Sequence, residues 1–317
     1  MKYRRLGKAG IKVSEIALGS WLTYGTVTEE SSAQACIRQA YELGINHFDC
    51  ANVYGSTPHE AERFLAQSLR PLPRDSYVLT TKAFWPVGKG VNDKGLSRKH
   101  LTSQLHESLR ALNTDYVDIF YCHRYDPETE MEEIVSSIDD FVRQGKVRYG
   151  GVSEWPAEQI AEAITVESTL KTHPLRASQP VYNLFNRYIE AAVLPICQQQ
   201  GLGVVVFSPL AQGLLTGKYR AGQPLPAGSR AATDSVSQFI TRYLTEDNFA
   251  KVDKLGALAQ EIGVSLSQLS LAWVLRQPAI SSALIGASKP EQVVENAHAV
   301  DVSLSQDVLK RIEDIFG

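Results

Sequence analysis

The feature that most narrows what this chain can fold into is an alternation, sustained along nearly its whole length, between short apolar runs and segments with helical spacing. The runs are IALG (16–19), NHFDCA (46–51), YVLTTK (77–82), YVDIFYCH (116–123), KVRYGGVS (146–153), RASQP (176–180), GVVVFS (203–208) and SSALIG (281–286). Each has the length of a strand, and YVDIFYCH is apolar enough to be buried on both faces. Between them, apolar residues recur at three and four positions. These stretches run over 31–44 (closed by Gly44), Glu60 to Leu69, Ser97 as N-cap to Leu109, Glu132 to Gln144, Ala157 to Thr169 and Glu190 to Gln200. Further helical patterns cover 249–262, 267–275, 289–300 and 305–315. Eight strands alternating with helices predict a (β/α)8 TIM barrel. The rival is a doubly wound sheet, which normally opens on a GxGxxG turn. None occurs here, and GKAG (7–10) and YGG (149–151) lack its spacing. Residues 1–15 read as a β-hairpin ahead of the barrel, and the Gly-, Pro- and Ser-rich 209–245 as a long loop after the seventh strand.

Length is consistent with this. Dividing 317 residues by the usual ~150 per domain suggests two domains, but barrels of about 250 residues form one. The expectation is a single barrel domain over 1–317, with the surplus in the hairpin, the long loop and the terminal helix. A composition 44% hydrophobic can fill such a core. Lys plus Arg number 32 against 35 Asp plus Glu, a net charge of -3, so the basic excess of a nucleic-acid binder is missing. The four cysteines, Cys36, Cys50, Cys122 and Cys197, form no CxxC pair and predict neither a disulfide framework nor a metal site. Met1 is followed by KYRRLGK rather than an apolar leader segment, and no apolar run reaches the ~18 residues of a membrane span. The expected location is the cytoplasm, without direct membrane insertion.

In a barrel, chemistry belongs to the C-terminal ends of the strands. Four ionisable side chains fall there: Asp49, Tyr54 in the following loop, Lys82 and His123. Ser153, Glu154, Gln179 and Ser208 occupy further strand ends. A lysine beside a phenol favours the phenolate and draws its proton transfer toward operating pH. Asp49 would keep Lys82 charged, because an unpaired buried ammonium is costly. His123 could hydrogen-bond a substrate oxygen and stabilise charge growing on it. Such a site suits hydride transfer to a carbonyl carbon with protonation of its oxygen. Taken singly, Asp49 also fits a helix cap and Tyr54 fits plain packing. Lys82 equally fits the Schiff-base lysine of a barrel aldolase.

The motifs GSW (19–21), FDCANVYG (48–55), TTK (80–82), GLSRKHL (95–101), YVDIFYCHRYDPETEMEE (116–133), GVSEW (151–155), SQPVYN (178–183), FSPLAQGLLTGKY (207–219) and IGASKPEQVVEN (285–296) cover nearly the whole chain in order. Together they resemble the aldo-keto reductases, most closely the branch holding the β subunits of voltage-gated potassium channels and their bacterial relatives. The resemblance implies a catalytic tetrad of Asp49, Tyr54, Lys82 and His123, and an NADP(H) cofactor lying extended across the barrel mouth. It places Ser20, Trp21 and Asp49 near the nicotinamide, Ser153 and Gln179 on its carboxamide, and Phe207 stacked on its ring. Ser208, Pro209, Leu210, Ala211 and Gly213 would follow the pyrophosphate, with Lys218 and Arg230 as cationic contacts. Gly286 and Ser288 would border the 2′-phosphate at a helix start, with Lys289 as an added contact. Gln292 would cover the adenine, and Glu295 and Asn296 would bond its edge.

Two positions depart from the family's common pattern. Glu154 stands where many members have Asn, which implies a changed carboxamide contact, and Gln292 stands where many have Arg. Trp21, Tyr24, Phe84, Trp85, Arg124 and Tyr125 would form an aromatic pocket for a small carbonyl substrate, with Arg124 anchoring an anionic group. Cys50 and Cys122 alternate away from their catalytic neighbours and read as buried spacers. The implied activity is NADPH-dependent reduction of aldehydes or ketones, with Tyr54 as general acid and 209–245 enclosing the cofactor. The alternative is an NADPH-binding accessory subunit of a larger complex. Relatives in this branch also imply a homotetramer or homo-octamer.

Overall fold

The computed structural model describes residues 1–23, 28–226 and 229–317; Tyr24, expected at the substrate pocket, lies outside the described residues. The chain begins with a hairpin, β1 (Tyr3–Arg5) paired antiparallel with β2 (Lys12–Ser14). The next strands are β3 (Ile16–Gly19), β4 (His47–Asp49), β5 (Val78–Ala83) and β6 (Val117–Cys122). They are followed by β7 (Val147–Ser153), β8 (Ala177–Gln179), β9 (Gly203–Val206) and β10 (Ile280–Ile285). Neighbours pair in parallel in chain order and β10 closes on β3, giving the predicted eight-stranded closed barrel.

Helices α1 (Glu30–Glu42), α2 (Glu60–Leu69), α3 (Arg98–Ala111), α4 (Met131–Arg143), α5 (Ala157–Leu170) and α6 (Val193–Gln200) connect the first seven barrel strands. Their apolar stripes explain the ring they form. In α4, Ile134, Val135, Ile138 and Phe141 are buried at helical spacing while the opposite face is charged. The side chain of Ser97 accepts from His100 N and starts α3 where the sequence predicts.

Every residue of β5 and β6 is buried, because one face meets the helices and the other the barrel interior. The period of two sorts them. Phe120, Cys50 and Cys122 join the outer core under the helices, whereas Ile119 and Tyr121 join the inner one. The hairpin plugs the N-terminal end of the barrel, adding Leu6, Ala9 and Val13 to the inner core. Its turn needs Gly7, at φ 56°, since a Cβ there would meet Gly201 O at 2.3 Å.

Two segments differ from the sequence expectation. The loop after β9 contains a turn of 3-10 helix, Ala211–Thr216, and a short helix, α7 (Asp234–Thr241), ahead of α8 (Glu246–Glu261) and α9 (Leu266–Leu275). Val236, Ile240 and Tyr243 are buried at helical spacing, but a two-turn stripe is masked by the glycines and prolines before it. The helix expected from Glu190 begins at Val193, after a 3-10 turn over Tyr188–Glu190. The chain ends with α10 (Pro290–Ala297) and α11 (Gln306–Phe316). Among the described residues, no helix is long and apolar enough to cross a membrane.

Candidate active site

The end of β4 supplies Asp49, β5 supplies Lys82, the loop after β4 supplies Tyr54, and His123 directly follows β6. Lys82 is fully buried. Its Nζ donates to Asp49 Oδ2 at 2.5 Å and to Cys50 O at 2.7 Å. The other oxygen of Asp49 accepts from Thr80 Oγ1 at 2.6 Å and from Gln179 Nε2 at 2.9 Å. With both oxygens engaged, the carboxylate is a fixed anchor for the ammonium. A buried pair of this kind offsets its desolvation cost only through such complete hydrogen bonding. Lys82 Nζ lies 4.9 Å from the centroid of the Tyr54 ring, and Tyr54 Oη lies 3.4 Å from His123 Nε2.

Burial governs the protonation of the group. It pushes the Tyr54 phenol up to about 12, because desolvation outweighs the opposing pull of Lys82, and Asp49 cancels part of that pull. The lowering that the sequence alone suggests is therefore reversed: Tyr54 holds its proton. His123 is held well below the ordinary imidazole value by burial, with Lys82 and Arg124 adding to it, so its ring is neutral. For Lys82, burial works against the ammonium, yet Asp49, with Tyr54 and Cys50 adding to it, more than compensates, and the pKa stands above its ordinary value.

These groups open on a cavity of about 720 Å³ at the C-terminal end of the barrel. Asp49, Tyr54 and His123 line it, and Lys82 lies behind them. Trp21, Trp85 and Arg124 form a wall, with the Arg124 guanidinium 5.4 Å from the Trp85 ring centroid. Phe84 and Tyr125 do not line the cavity: Phe84 packs on the outer core, and Tyr125 stands edge-on to Trp155 at 5.3 Å.

Among the expected cofactor residues, Ser153, Gln179, Phe207, Ser208, Pro209, Leu210 and Gly213 line the cavity. So do Lys218, Arg230, Gly286, Ser288, Gln292, Glu295 and Asn296. Ser20 and Ala211 do not; both are buried, and Ser20 Oγ donates to Asp49 O at 2.9 Å. Glu154 also stays out of the cavity. It adopts a left-handed φ of 57°, and its Oε1 accepts from Val181 N at 2.6 Å and from Tyr188 Oη at 3.2 Å. Gln292 Oε1 accepts from Ser288 N at 2.9 Å, so its amide folds back over the start of α10.

The far arm of the cavity carries an electrostatic imbalance. Lys218 is held below its ordinary pKa by burial and then by repulsion from Arg230, and burial likewise lowers Arg230. Among the described residues neither forms an ion pair. Two cations on one cavity, Lys218 exposed and Arg230 half-buried, with no carboxylate paired to either, suit an anion. Arg230 Nη1 donates to Gln212 Oε1 at 2.6 Å, and Gln212 Nε2 donates to Ser208 Oγ at 2.5 Å. Left-handed φ values at Ser208, Ala211, Gln212 and Gly213 bend this strap around the arm.

Sequence reasoning missed Gln212 and Phe239. Phe239, on α7, lines the cavity and meets Trp21 edge-on at 5.0 Å. The spacing Val236, Ile240, Tyr243 was the available signal.

A closed parallel barrel with a buried lysine–aspartate pair beneath a tyrosine and a histidine at its mouth defines an oxidoreductase-like site. The Aldo/keto reductase family model matches residues 15–316, and the chain belongs to that family. The buried network of Asp49, Tyr54, Lys82 and His123 resembles the family's catalytic tetrad, which supports oxidoreductase activity. The chain is 42% identical over 99% of its length, and 96% of the relative's, to a "Probable voltage-gated potassium channel subunit beta" of Oryza sativa subsp. japonica. It is 39% identical over 95% of its length, and 88% of the relative's, to an "L-glyceraldehyde 3-phosphate reductase" of Escherichia coli (strain K12).

Proposed function

We propose that this protein reduces aldehydes or ketones to alcohols with NADPH, Tyr54 protonating the carbonyl oxygen. The observation that carries the reading is the placement of Tyr54 between the Lys82–Asp49 pair and His123 at the floor of one cavity, whose other arm holds Lys218 and Arg230 without carboxylate partners. The residues present fit the cofactor: two uncompensated cations suit its phosphates, and the start of α10 beside Ser288 suits the 2′-phosphate. When bound, the cofactor supplies the hydride.

The chain's own groups handle the proton. Tyr54 and neutral His123 both offer hydrogen bonds where a substrate oxygen would sit, and Tyr54 gives up its proton as charge develops there. Lys82 stabilises the resulting phenolate, and Asp49 keeps Lys82 charged and in place. Ser153 and Gln179 would hold the carboxamide, Phe207 would cover the ring, and Gln292, Glu295 and Asn296 would bind the adenine end. Trp21 and Trp85 exclude water from the substrate.

Arg124 extends the reading to substrates bearing an anionic group, and the name of the Escherichia coli relative makes a short phosphorylated aldehyde the first to try. The test is a screen of NADPH and NADH oxidation against neutral aldehydes, ketones and phosphorylated aldehydes. Turnover with NADPH and at least one such carbonyl is expected. Tight NADPH binding without turnover of any carbonyl would contradict it. That outcome would favour the accessory role to which the channel-subunit relatives point.

A further inference from the structure

Behind the candidate tetrad, on the helix side of the barrel wall, lies a second polar cluster. Glu62 of α2 is fully buried, a costly place for a carboxylate. Its Oε1 accepts from Thr81 Oγ1 at 2.5 Å, and its Oε2 lies 2.6 Å from His59 Nδ1. Thr81 is the chain neighbour of Lys82 and faces the opposite side of β5, because successive strand residues alternate. The bond from Thr81 therefore ties α2 to the stretch of strand that aims Lys82 inward.

The same cluster closes the loop that carries Tyr54. His59 holds a left-handed φ of 65°, and its N–H donates to Asn52 O at 2.6 Å. Asn52 N in turn donates to Lys82 O at 3.2 Å. Between these anchors, Tyr54 O accepts from Ala61 N at 3.1 Å, in the first turn of α2 and next to Glu62. Tyr54 and Lys82 are thus linked by two routes, one through Asn52 and one through Ala61, Glu62 and Thr81. Packing alone does not call for a carboxylate here, and an apolar side chain would avoid its desolvation cost. The carboxylate supplies one oxygen to each, and so holds Thr81 and His59 at once.

We propose that Glu62 is a positioning residue for the proposed reaction: by gripping Thr81 and His59 it sets the placement of the Tyr54 phenol over the Lys82 ammonium. This rests on the reading of Tyr54 as proton donor. A small misplacement of a reacting group costs much in rate, so loosening the grip acts on kcat rather than on binding.

The experiment compares Thr81→Val, Thr81→Ser and Glu62→Gln in the full chain, each alone and combined with Tyr54→Phe. Thr81→Val is the main variant because it removes one hydroxyl and keeps the volume. It should lower kcat about tenfold, leave KM and the NADPH Kd within about twofold, and be rescued by Thr81→Ser. In the Tyr54→Phe background it should cause no further loss, because its effect passes through that phenol. Unchanged kcat in Thr81→Val, equal damage to Kd and kcat, or a full additional loss in the Tyr54→Phe background would overturn the proposal. If Tyr54→Phe alone retained full turnover, the functional reading itself would fall, and Glu62 would have no phenol to position.

Discussion

The phenol oxygen of Tyr54 lies 3.4 Å from Nε2 of His123, and burial keeps both groups neutral. The pair presents uncharged polar groups to the barrel mouth, while the charges of Lys82 and Asp49 beneath it neutralise one another at 2.5 Å.

That neutrality predicts a flat pH profile. With Tyr54 up to about 12 and His123 well below its ordinary 6.5, neither titrates between pH 6.5 and 10. Over this range kcat for carbonyl reduction should vary by less than about threefold. A profile falling along limbs near the ordinary histidine and tyrosine values would show that these groups are not held as described.

Breaking the buried pair should cost more than removing it. Asp49→Asn leaves the Lys82 ammonium buried without a counter-charge and should lower unfolding free energy by about 3–5 kcal/mol in urea titrations. Adding Lys82→Met to Asp49→Asn should recover at least about half of that loss. If the double variant is as unstable as the sum of the single ones, the two side chains are not coupled.

At the far arm the expected signs oppose. Lys218→Met relieves repulsion between two neighbouring cations, so thermal stability of the cofactor-free protein should hold or rise. NADPH affinity should meanwhile fall about tenfold or more, read by fluorescence titration. Loss of stability with intact affinity would assign Lys218 to the fold instead.

Away from the site, burial raises Glu167 from 4.5 to about 7, against the opposing effect of its bond from Leu175 N. A carboxyl raised in the folded state binds its proton more tightly there than in the unfolded chain. Its contribution is therefore fully present below pH 4.5 and is lost as pH rises through 7. Glu167→Gln, which keeps the acceptor for Leu175 N, should gain about 3 kcal/mol at pH 8 and nothing near pH 4. Equal stability of the two proteins at pH 8 would contradict this.

Much of the barrel could be read from the sequence because its signals are local. The fully buried runs of β5 and β6 carry their burial in their composition, and Ser97 announces α3. Lys82 at the end of an apolar strand could be placed for the same reason. Glu62 could not: on α2 it reads as one more charge on a solvated face, and only the fold brings Thr81 and His59 to it. The sign of the Tyr54 shift was hidden as well. The charge of Lys82 is visible in the sequence, whereas the desolvation that outweighs it depends on everything packed around the ring. Glu154 shows a third limit, since its strand-end position was legible but its outward bond to Val181 N was not.

In the proposed reaction Tyr54 donates the proton that completes carbonyl reduction. The most direct test of that role is Tyr54→Phe, assayed for NADPH-dependent aldehyde turnover and, on the same preparation, for NADPH affinity. A fall in kcat of about a hundredfold or more is expected, with Kd within about twofold. Turnover equal to that of the unaltered protein would contradict it.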